Sequence, residues 1–327
     1  MQGKIAIEEH FILPGTMGYA DRYFELPLWR GYSDTVKGIM DRYTRQMEEN
    51  GLDLMVLSLK SSSIQGIPDR KRAVEAAILA NDLMAEAIQR HGKGFRGLAA
   101  LPMQDVDGAI RELHRAVEEL GYPGVIVNGF SQIDTLENAV YLDDPRYLPF
   151  WEELEKLDVP LYLHPRDTLP ANLGPMRGHP WLEGAAWSFG VETATHALRL
   201  MCAGVFDRFP NLKLVLGHLG ETLPYCIWRC ENHIKRNPRG IPAPTRRPLP
   251  EYLQRNVWLT TSGQFHTPSL LAAMLEVGAD RILFAADAPF EDLSLACGWL
   301  DTCPISEGDR QKIGRQNAID LLRLRDI

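Results

Sequence analysis

The chain repeats one pattern eight times: a short apolar run, rich in Val, Ile and Leu, that ends in small or polar residues. Runs that are apolar throughout, and not only at alternate positions, are typical of parallel strands with both faces buried. The pattern therefore predicts an α/β fold built on a parallel sheet. The predicted strands cover residues 4–10, 52–59, 95–102, 124–129, 159–165, 212–218, 257–263 and 281–287.

Between these strands, apolar residues recur at three- and four-residue spacing with charged residues opposite, which is the period of an amphipathic helix. Strand alternating with helix eight times predicts a closed (β/α)8 TIM barrel, with residues 1–327 as a single domain. An open doubly wound sheet is the alternative, but no nucleotide-binding glycine motif follows an early strand. The clearest helical stretches are Arg72–His91, Asp107–Leu120, Trp151–Leu157, Glu192–Phe209 and Arg310–Leu324.

Two connections are too long to be simple turns, residues 11–34 and residues 166–186. Long loops in compact domains are usually functional or disordered, and the aromatic content of these two argues against disorder. Both follow strands. We therefore expect both loops to lie over the C-terminal mouth of the barrel, where such folds keep their chemistry.

The composition limits the partners and the compartment. The formal net charge of −8 argues against a nucleic-acid partner. Apolar runs stop short of the roughly 20 residues of a membrane span, and no secretory signal is expected at the N-terminus. The five cysteines are odd in number and lack paired spacing, so we expect reduced thiols in a cytoplasmic protein.

Side chains that bind metal ions end four of the predicted strands. Because side chains alternate along a strand, two donors on the first strand face one side and Glu9 faces the other. Mixed imidazole and carboxylate ligands suit zinc or manganese and leave a position for water or substrate. A lone histidine at a strand end is more often a hydrogen-bonded core residue, so this prediction depends on the donors meeting. The donors are Glu8 and His10 on strand one, His164 on strand five, His218 on strand six and Asp287 on strand eight.

A set of motifs, in order along almost the whole chain, resembles the γ-resorcylate (2,6-dihydroxybenzoate) decarboxylase family of the metal-dependent amidohydrolase superfamily, which is related to aminocarboxymuconate-semialdehyde decarboxylase. No single motif is specific, but their combination is. The motifs are EEHF, IPDRKRA, ALPMQD, VNGFSQ, LDVPLYLHPR, ETATHALRLM, LGHLGE, LTTSG, DRILF and KIGRQNA.

The resemblance implies a barrel that reversibly removes CO2 from an ortho-hydroxybenzoate, a small aromatic carboxylic acid, without oxidation or an organic cofactor. It implies that Glu8, His10, His164 and Asp287 hold one divalent cation, zinc or manganese, with magnesium as a further option. It places His218 beside the metal and Asp287 in proton transfer. It also implies a homodimer or homotetramer. The positions that match substrate contacts are Arg229, Tyr23, Phe24 and Phe290.

Three further positions bear on the site. Glu221, three residues after His218, is either a partner that orients that imidazole or an ordinary carboxylate in the first turn of a helix. Arg229 is either an anion clamp or half of a surface ion pair, and Ser63 is expected to form part of a polar pocket wall. The chain reads AADAPFE where the family tends to read STDWPFE, so Ala288 replaces a tryptophan and predicts a wider or differently filled pocket.

Two other functions remain open on the same residues. A mononuclear metal-dependent hydrolase of an amide or lactone would use the same barrel and a metal-bound hydroxide. A barrel that binds a small aromatic acid without turnover is the second alternative, although binding alone does not require both His218 and Asp287. Evolved CO2 would distinguish the decarboxylase from both.

Overall fold

A computed structural model describes residues 1–12, 36–236, 239–241, 245–325 and 327. Within these residues all eight predicted strands are confirmed, and they form one sheet in chain order. Several are shorter than predicted, most of all the last one. The strands are β1 Lys4–Phe11, β2 Leu52–Leu59, β3 Phe95–Ala100, β4 Gly124–Asn128, β5 Leu161–His164, β6 Leu214–Leu216, β7 Val257–Thr260 and β8 Ile282–Leu283.

Each strand pairs in parallel with the next one along the chain, which is the order of a barrel and not of a doubly wound sheet. The barrel is closed by the segment that follows β8. Its Phe284 carbonyl accepts from the Ile7 amide at 3.2 Å, and the Asp287 amide donates to the Glu8 carbonyl at 3.0 Å. The His10 amide donates to the Ala288 carbonyl at 2.7 Å. The backbone pairing of the eighth strand with β1 thus continues beyond its two regular residues. The (β/α)8 prediction is confirmed.

Helices surround the strands. All five predicted helical stretches contain helices, although the stretch 192–209 is broken at Gly204, whose φ of +74° ends one helix and starts the next. Residues 115–119 and 312–316 are π-helical turns inside longer helical runs. The described helices are α1 Val36–Asn50, α2 Arg70–His91, α3 Val106–His114, α4 Leu148–Leu157, α5 Ser188–Cys202, α6 Val205–Arg208, α7 Leu223–Arg236, α8 Leu249–Asn256, α9 Thr267–Val277, α10 Leu293–Thr302, α11 Glu307–Gln311 and α12 Asn317–Leu322.

The apolar core has two layers, as expected when both faces of every strand are buried. The larger layer lies between the strands and the helices. The smaller one fills the barrel interior, where Val56, Ile126, Tyr162 and Val215 meet, and α12 contributes Leu322 to it. The interior is therefore packed, and polar groups can gather only above it, at the C-terminal ends of the strands.

A β-bulge in β1 decides which of its side chains reach that mouth. Ala6 pairs with Met55 and Glu9 pairs with Leu57, so β1 carries one extra residue over this stretch. Ile7 lies in the interior cluster. Strict alternation from Ile7 would turn Glu9 inward, but the extra residue resets the alternation.

Of the two predicted mouth loops, the structure describes the second in full. Residues 13–34 of the first loop lie outside the described residues. The second loop contains four short 3-10 turns, Pro170–Asn172, Gly174–Met176, Pro180–Leu182 and Gly184–Ala186, between β5 and α5. Among the helices that the structure describes, none has both the length and the apolarity of a transmembrane span.

His196 on α5 provides a test of the packing. Its side chain is buried beside Tyr141, and its Nε2 accepts a hydrogen bond from the Leu142 amide at 2.9 Å. Burial lowers the pKa of His196 to about 3. Because the unfolded chain binds this proton below its ordinary pKa of about 6.5 and the folded chain does not, the contribution of His196 to stability falls as the pH drops below that value.

We expect the free energy of unfolding of the wild type to fall by about 2 kcal/mol more than that of His196→Gln between pH 7 and pH 5. The glutamine can still accept the Leu142 hydrogen bond but does not titrate. Urea unfolding followed by circular dichroism at both pH values measures the difference. Equal losses in the two proteins would show that His196 is not held neutral in the folded state.

Candidate active site

The structure brings together four of the residues that the sequence singled out at the strand ends. Glu8, His10, His164 and Asp287 each offer one ligand atom, and these atoms all lie within 4.8 Å of one another. His10 Nε2 lies 3.1 Å from Asp287 Oδ1, and His164 Nε2 lies 3.3 Å from Glu8 Oε1. Residues from the two ends of the chain and from its middle therefore converge on one point above the packed interior.

The donor atoms fit a divalent cation. Glu8 Oε1 and His10 Nε2 are fully buried, and among the described residues neither has a hydrogen-bond partner of acceptable geometry. Buried polar atoms without partners are costly, and a bound cation removes that cost. Two imidazole nitrogens and two carboxylate oxygens form the mixed set that zinc and manganese accept.

Hydrogen bonds beneath the cluster fix its orientation. Ser58 Oγ lies 2.9 Å from His10 Nδ1, which leaves Nε2 directed at the cluster. Glu8 Oε2 accepts a hydrogen bond from the Tyr162 hydroxyl and another, at 3.1 Å, from Thr260 Oγ1. One carboxylate oxygen of Glu8 is thus committed to the protein, while the other faces the neighbouring ligands. Such outer partners normally set ligand orientation in metal sites.

Sequence reasoning missed these supporting residues, although alternation gave a signal for some of them. Val56 and Ser58 are inward positions of β2, and Tyr162 and His164 are inward positions of β5. Asn128 was missed as well: it pairs with His164 across β4 and β5, and its buried Oδ1 has no partner among the described residues. A polar residue at the inward position next to or below a candidate ligand would have indicated this supporting role.

Glu9, on the opposite face of β1, attaches the segment that carries Asp287. Its two carboxylate oxygens accept hydrogen bonds from the Ala286 amide at 3.0 Å and the Ala288 amide at 2.9 Å. Burial raises the pKa of Glu9 to about 8 in spite of these two amide donors. Tyr43 adds a hydroxyl within 2.8 Å of the Ala288 carbonyl. The backbone on both sides of Asp287 is therefore fixed to β1.

His218 and Glu221 form a pair beside the four ligands. His218 Nδ1 and Glu221 Oε1 are 2.6 Å apart, and His218 Nε2 lies 3.5 Å from Asp287 Oδ2. Residues 218–222 all have positive φ, from 52° to 82°, so this turn is left-handed. The turn thereby brings the Glu221 carboxylate back beside the His218 imidazole. This contact supports the orienting role and not that of an ordinary helix carboxylate.

The conformation around these residues is unfavourable for ordinary side chains. Asp287 has a φ of +72° and His218 a φ of +52°, a region that non-glycine residues rarely occupy and that carries a cost where surrounding contacts enforce it. Gly263, with a φ of +58°, leaves the space between them: a Cβ there would lie 3.1 Å from His218 Cδ2 and 3.6 Å from Asp287 Oδ2. The local strain is concentrated where the side chains must be aimed.

The charges of the site follow from its contacts. Burial works against ionisation of Glu8, but the imidazoles of His10 and His164 hold its pKa well below the usual range. Burial likewise works against a charge on Asp287, yet His10 and His218 lower its pKa. Burial also opposes a charge on His218, but Glu221 and Asp287 raise its pKa well above the usual value. These contacts therefore favour the protonated form of His218 and the ionised form of Asp287.

The residues that the sequence suggested as substrate contacts differ in their position relative to the ligand cluster. The Phe290 ring lies 5.7 Å from the His10 ring and so borders the cluster. Ser63 is buried in the turn Ser63–Gly66 directly after β2. Arg229 is exposed on α7 and makes no ion pair in the part of the chain that the structure describes. Tyr23 and Phe24 lie outside the described residues.

Ala288 does not face the pocket. It is buried in the outer layer together with Phe284 and Ala286, whereas Leu283 and Ala285 face the interior. A larger side chain at residue 288 would extend toward the helices. The replacement of tryptophan by alanine therefore gives no reason to expect a wider pocket, which corrects the expectation drawn from the sequence.

Comparison with known proteins adds independent findings. A sequence model of the amidohydrolase family matches residues 37–324. The γ-resorcylate decarboxylase of Rhizobium radiobacter is 46% identical over 99% of both chains. A crystal structure of a 2,6-dihydroxybenzoate decarboxylase with bound 2,6-dihydroxybenzoate superimposes with a TM-score of 0.93, at 45% identity over 99% of both chains. The dihydroxybenzoic acid decarboxylase of Polaromonas sp. JS666, with bound manganese and the inhibitor 2-nitroresorcinol, also gives 0.93, at 46% identity over 100% of this chain and 98% of that one.

Removal of one imidazole tests the cation site. We expect His164→Ala to bind manganese at least about tenfold more weakly than the wild type, because a buried nitrogen ligand is lost. Elemental analysis after dialysis against limiting manganese measures the bound metal, and circular dichroism checks the fold. The matched control is His266→Ala, which removes an exposed histidine that follows β7. Full metal content in His164→Ala at limiting manganese would exclude His164 as a ligand.

Proposed function

Since the chain belongs to the amidohydrolase family and, within it, to the γ-resorcylate decarboxylases, we propose that it removes CO2 from an ortho-hydroxybenzoate of the dihydroxybenzoate type. The observation that carries this proposal is the position of His218 and Asp287. The His218 imidazole lies 3.5 Å from Oδ2 of Asp287, which is itself one of the four proposed cation ligands. A decarboxylation in which the ring carbon is protonated needs a proton delivered at that place.

Glu8, His10, His164 and Asp287 would hold the divalent cation, and manganese or zinc is the expected ion, with magnesium as a further option. When bound, the cation would supply positive charge that holds the substrate carboxylate and ortho-hydroxyl oxygens and favours the phenolate. No organic cofactor is needed, because the phenolate itself supplies electron density to the ring carbon that bears the carboxylate.

Asp287 can serve two roles because its oxygens face different partners. Oδ1 is directed at His10 and the ligand cluster, whereas Oδ2 faces His218. We assign His218 as the proton source and Asp287 as the group that delivers the proton to the ring carbon. Glu221 accepts from His218 Nδ1 and so directs Nε2 toward Asp287.

The bonds balance in two steps. In the first, His218 passes its proton to Asp287, which delivers it to the carbon that bears the carboxylate. A C–H bond forms there, and the phenolate ring becomes a ketone tautomer. In the second, the C–C bond to the carboxylate breaks, its electron pair restores the aromatic ring, and CO2 leaves. Asp287 is left ionised, as it began, and His218 regains its proton from solvent, to which its side chain is 24% exposed.

The substrate contacts belong to the same proposal. Phe290 is the wall beside His10, and its ring position supports contact with the aromatic substrate. Tyr23, Phe24 and Arg229 are proposed as further contacts on the resemblance alone, and Ser63 is proposed as part of a polar pocket wall.

The remaining expectations are also proposals. We infer a single barrel domain over residues 1–327 with both long loops at its mouth. We further infer a homodimer or homotetramer and a cytoplasmic location, in line with five cysteines that are all free thiols.

The direct test is decarboxylation of 2,6-dihydroxybenzoate by the manganese-loaded protein. We expect CO2 and resorcinol in equal amounts. Loss of the substrate's ultraviolet absorbance measures turnover, and carbonate trapping measures the CO2. Release of an acid from an ester or lactone, without CO2 from any hydroxybenzoate, would instead identify the hydrolase that the sequence left open.

Asp287→Asn should keep the fold and lose turnover by about a factor of 10³, since an amide cannot deliver the proton. Because Asp287 is also a proposed ligand, the metal content of the variant must be measured alongside. Exchange of the resorcinol ring proton for deuterium in the metal-saturated variant gives a second readout. Wild-type rates of exchange and turnover would exclude Asp287 as the proton donor.

Glu221→Gln tests the orienting partner separately. We expect kcat to fall by about 10- to 100-fold while KM and the metal content stay close to the wild type, because Glu221 touches His218 and none of the four ligands. Glu183→Gln, a half-buried carboxylate in the second mouth loop, is the control. A change in KM alone would point to a role in substrate binding.

A further inference from the structure

The side chain of Asn128 lies at the barrel mouth and has no role in the function proposed so far. Along β4, Ile126 lies in the interior cluster, and Asn128 is the next inward position, at the last residue of the strand. Asn128 is buried, and its register partner on β5 is the proposed ligand His164. Because neighbouring strands are about 4.8 Å apart and both side chains point inward, the Asn128 amide stands beside the His164 imidazole.

One hydrogen bond shows how the amide group of Asn128 is turned. Its Nδ2 donates to the carbonyl oxygen of Leu59, the last residue of β2, at 3.4 Å. In the sheet, β2 and β5 lie on opposite sides of β4, with β3 between β2 and β4. The amide nitrogen is therefore directed away from β5. Because the nitrogen and the oxygen diverge from the same carbon, Oδ1 is left on the side of His164.

Two buried atoms of this pair lack partners that suit each other. Asn128 Oδ1 and His164 Nδ1 are shielded from solvent, and neither has a hydrogen-bond partner among the described residues. His164 Nε2 faces Glu8 Oε1 at 3.3 Å and is the nitrogen that can bind the cation. An imidazole that binds a cation through Nε2 carries its proton on Nδ1, so Nδ1 must donate, whereas a carboxamide oxygen only accepts.

The second imidazole of the cluster already has the contact that His164 lacks. His10 on β1 is the register partner of Ser58 on β2, and Ser58 Oγ lies 2.9 Å from His10 Nδ1. Asn128 and His164 stand in the same register relation on β4 and β5. In both cases an inward polar residue of the neighbouring strand lies level with the ligand, where it can reach the ring nitrogen that does not face the cluster.

We propose that Asn128 is a positioning residue whose Oδ1 accepts a hydrogen bond from His164 Nδ1 and so holds His164 Nε2 toward the cation. The contact satisfies two buried polar atoms that are costly without partners. Outer partners of this kind fix the tautomer and the ring orientation of a ligating histidine. The inference rests on the cation site and not on the reaction that takes place there.

Manganese binding distinguishes this role from simple packing. The experiment compares the manganese dissociation constants of wild type, Asn128→Leu, Asn128→Asp and Asn211→Leu, with circular dichroism as the check of the fold. Leucine has nearly the shape of asparagine but no acceptor, so we expect Asn128→Leu to bind manganese about 10- to 100-fold more weakly. Aspartate keeps an acceptor, and we expect it to bind manganese at least as tightly as the wild type. Asn211→Leu, at an exposed asparagine before β6, is the matched control.

Three outcomes of these measurements would overturn the proposal. The first is equal manganese affinity in wild type and Asn128→Leu. The second is equal weakening in Asn128→Leu and Asn128→Asp, which would show that only packing is affected. The third is a higher KM for 2,6-dihydroxybenzoate in Asn128→Leu with unchanged manganese affinity, which would place Asn128 against the substrate.

A spectroscopic measurement covers the case in which Asn128→Leu does not fold. In zinc-loaded protein labelled with 15N-histidine, the Nδ1 proton of His164 is assigned by its loss in His164→Gln. A charged acceptor makes a stronger hydrogen bond, so we expect this proton resonance to move downfield in Asn128→Asp. An unchanged resonance would exclude the contact. Neither measurement needs turnover, so a protein that meets both expectations and decarboxylates no hydroxybenzoate would contradict the proposed function alone.

Discussion

The site depends on the closure of the barrel between β1 and the segment after β8. Backbone hydrogen bonds from Asp287 to Glu8 and from His10 to Ala288 make this seam, and Glu9 reinforces it from the outside with both carboxylate oxygens. The first and last of the four proposed cation ligands lie on its two sides. Parallel pairing at the seam therefore does more than complete the sheet, because without it the two carboxylates would have no common cation.

Regular geometry alone would not have produced this arrangement. The bulge in β1 turns Glu8 and His10 toward the mouth while Ile7 still fills the interior. Positive φ values at Asp287 and through residues 218–222 direct two further side chains to the same place. Strain of this kind persists only where the surroundings enforce it, and here the enforcing contacts are the seam and the tight packing against Gly263.

Much of this could be predicted because it follows from simple periods. Eight apolar runs predicted the strands, and polar residues at the C-terminal ends of four of them predicted the site residues Glu8, His10, His164, His218 and Asp287. The bulge, the left-handed turn that brings Glu221 to His218, and the support from Tyr162 and Thr260 could not be predicted, since each depends on contacts between distant segments. Alternation with Phe284 and Ala286 would have predicted the outward direction of Ala288. The departure from the family motif indicated only that its side chain is small.

Solvent access divides the site into two parts with different tasks. Glu8 and His10 are completely buried and His164 nearly so, whereas Asp287 is 14% and His218 24% exposed. A cation held by the buried group would be protected from competing water, while under the proposed function the two less buried groups would exchange a proton with solvent after each turnover. Asp287 belongs to both parts, with one oxygen toward His10 and the other toward His218. Because its backbone is fixed by the seam, this side chain can link the two tasks without a movement of the barrel.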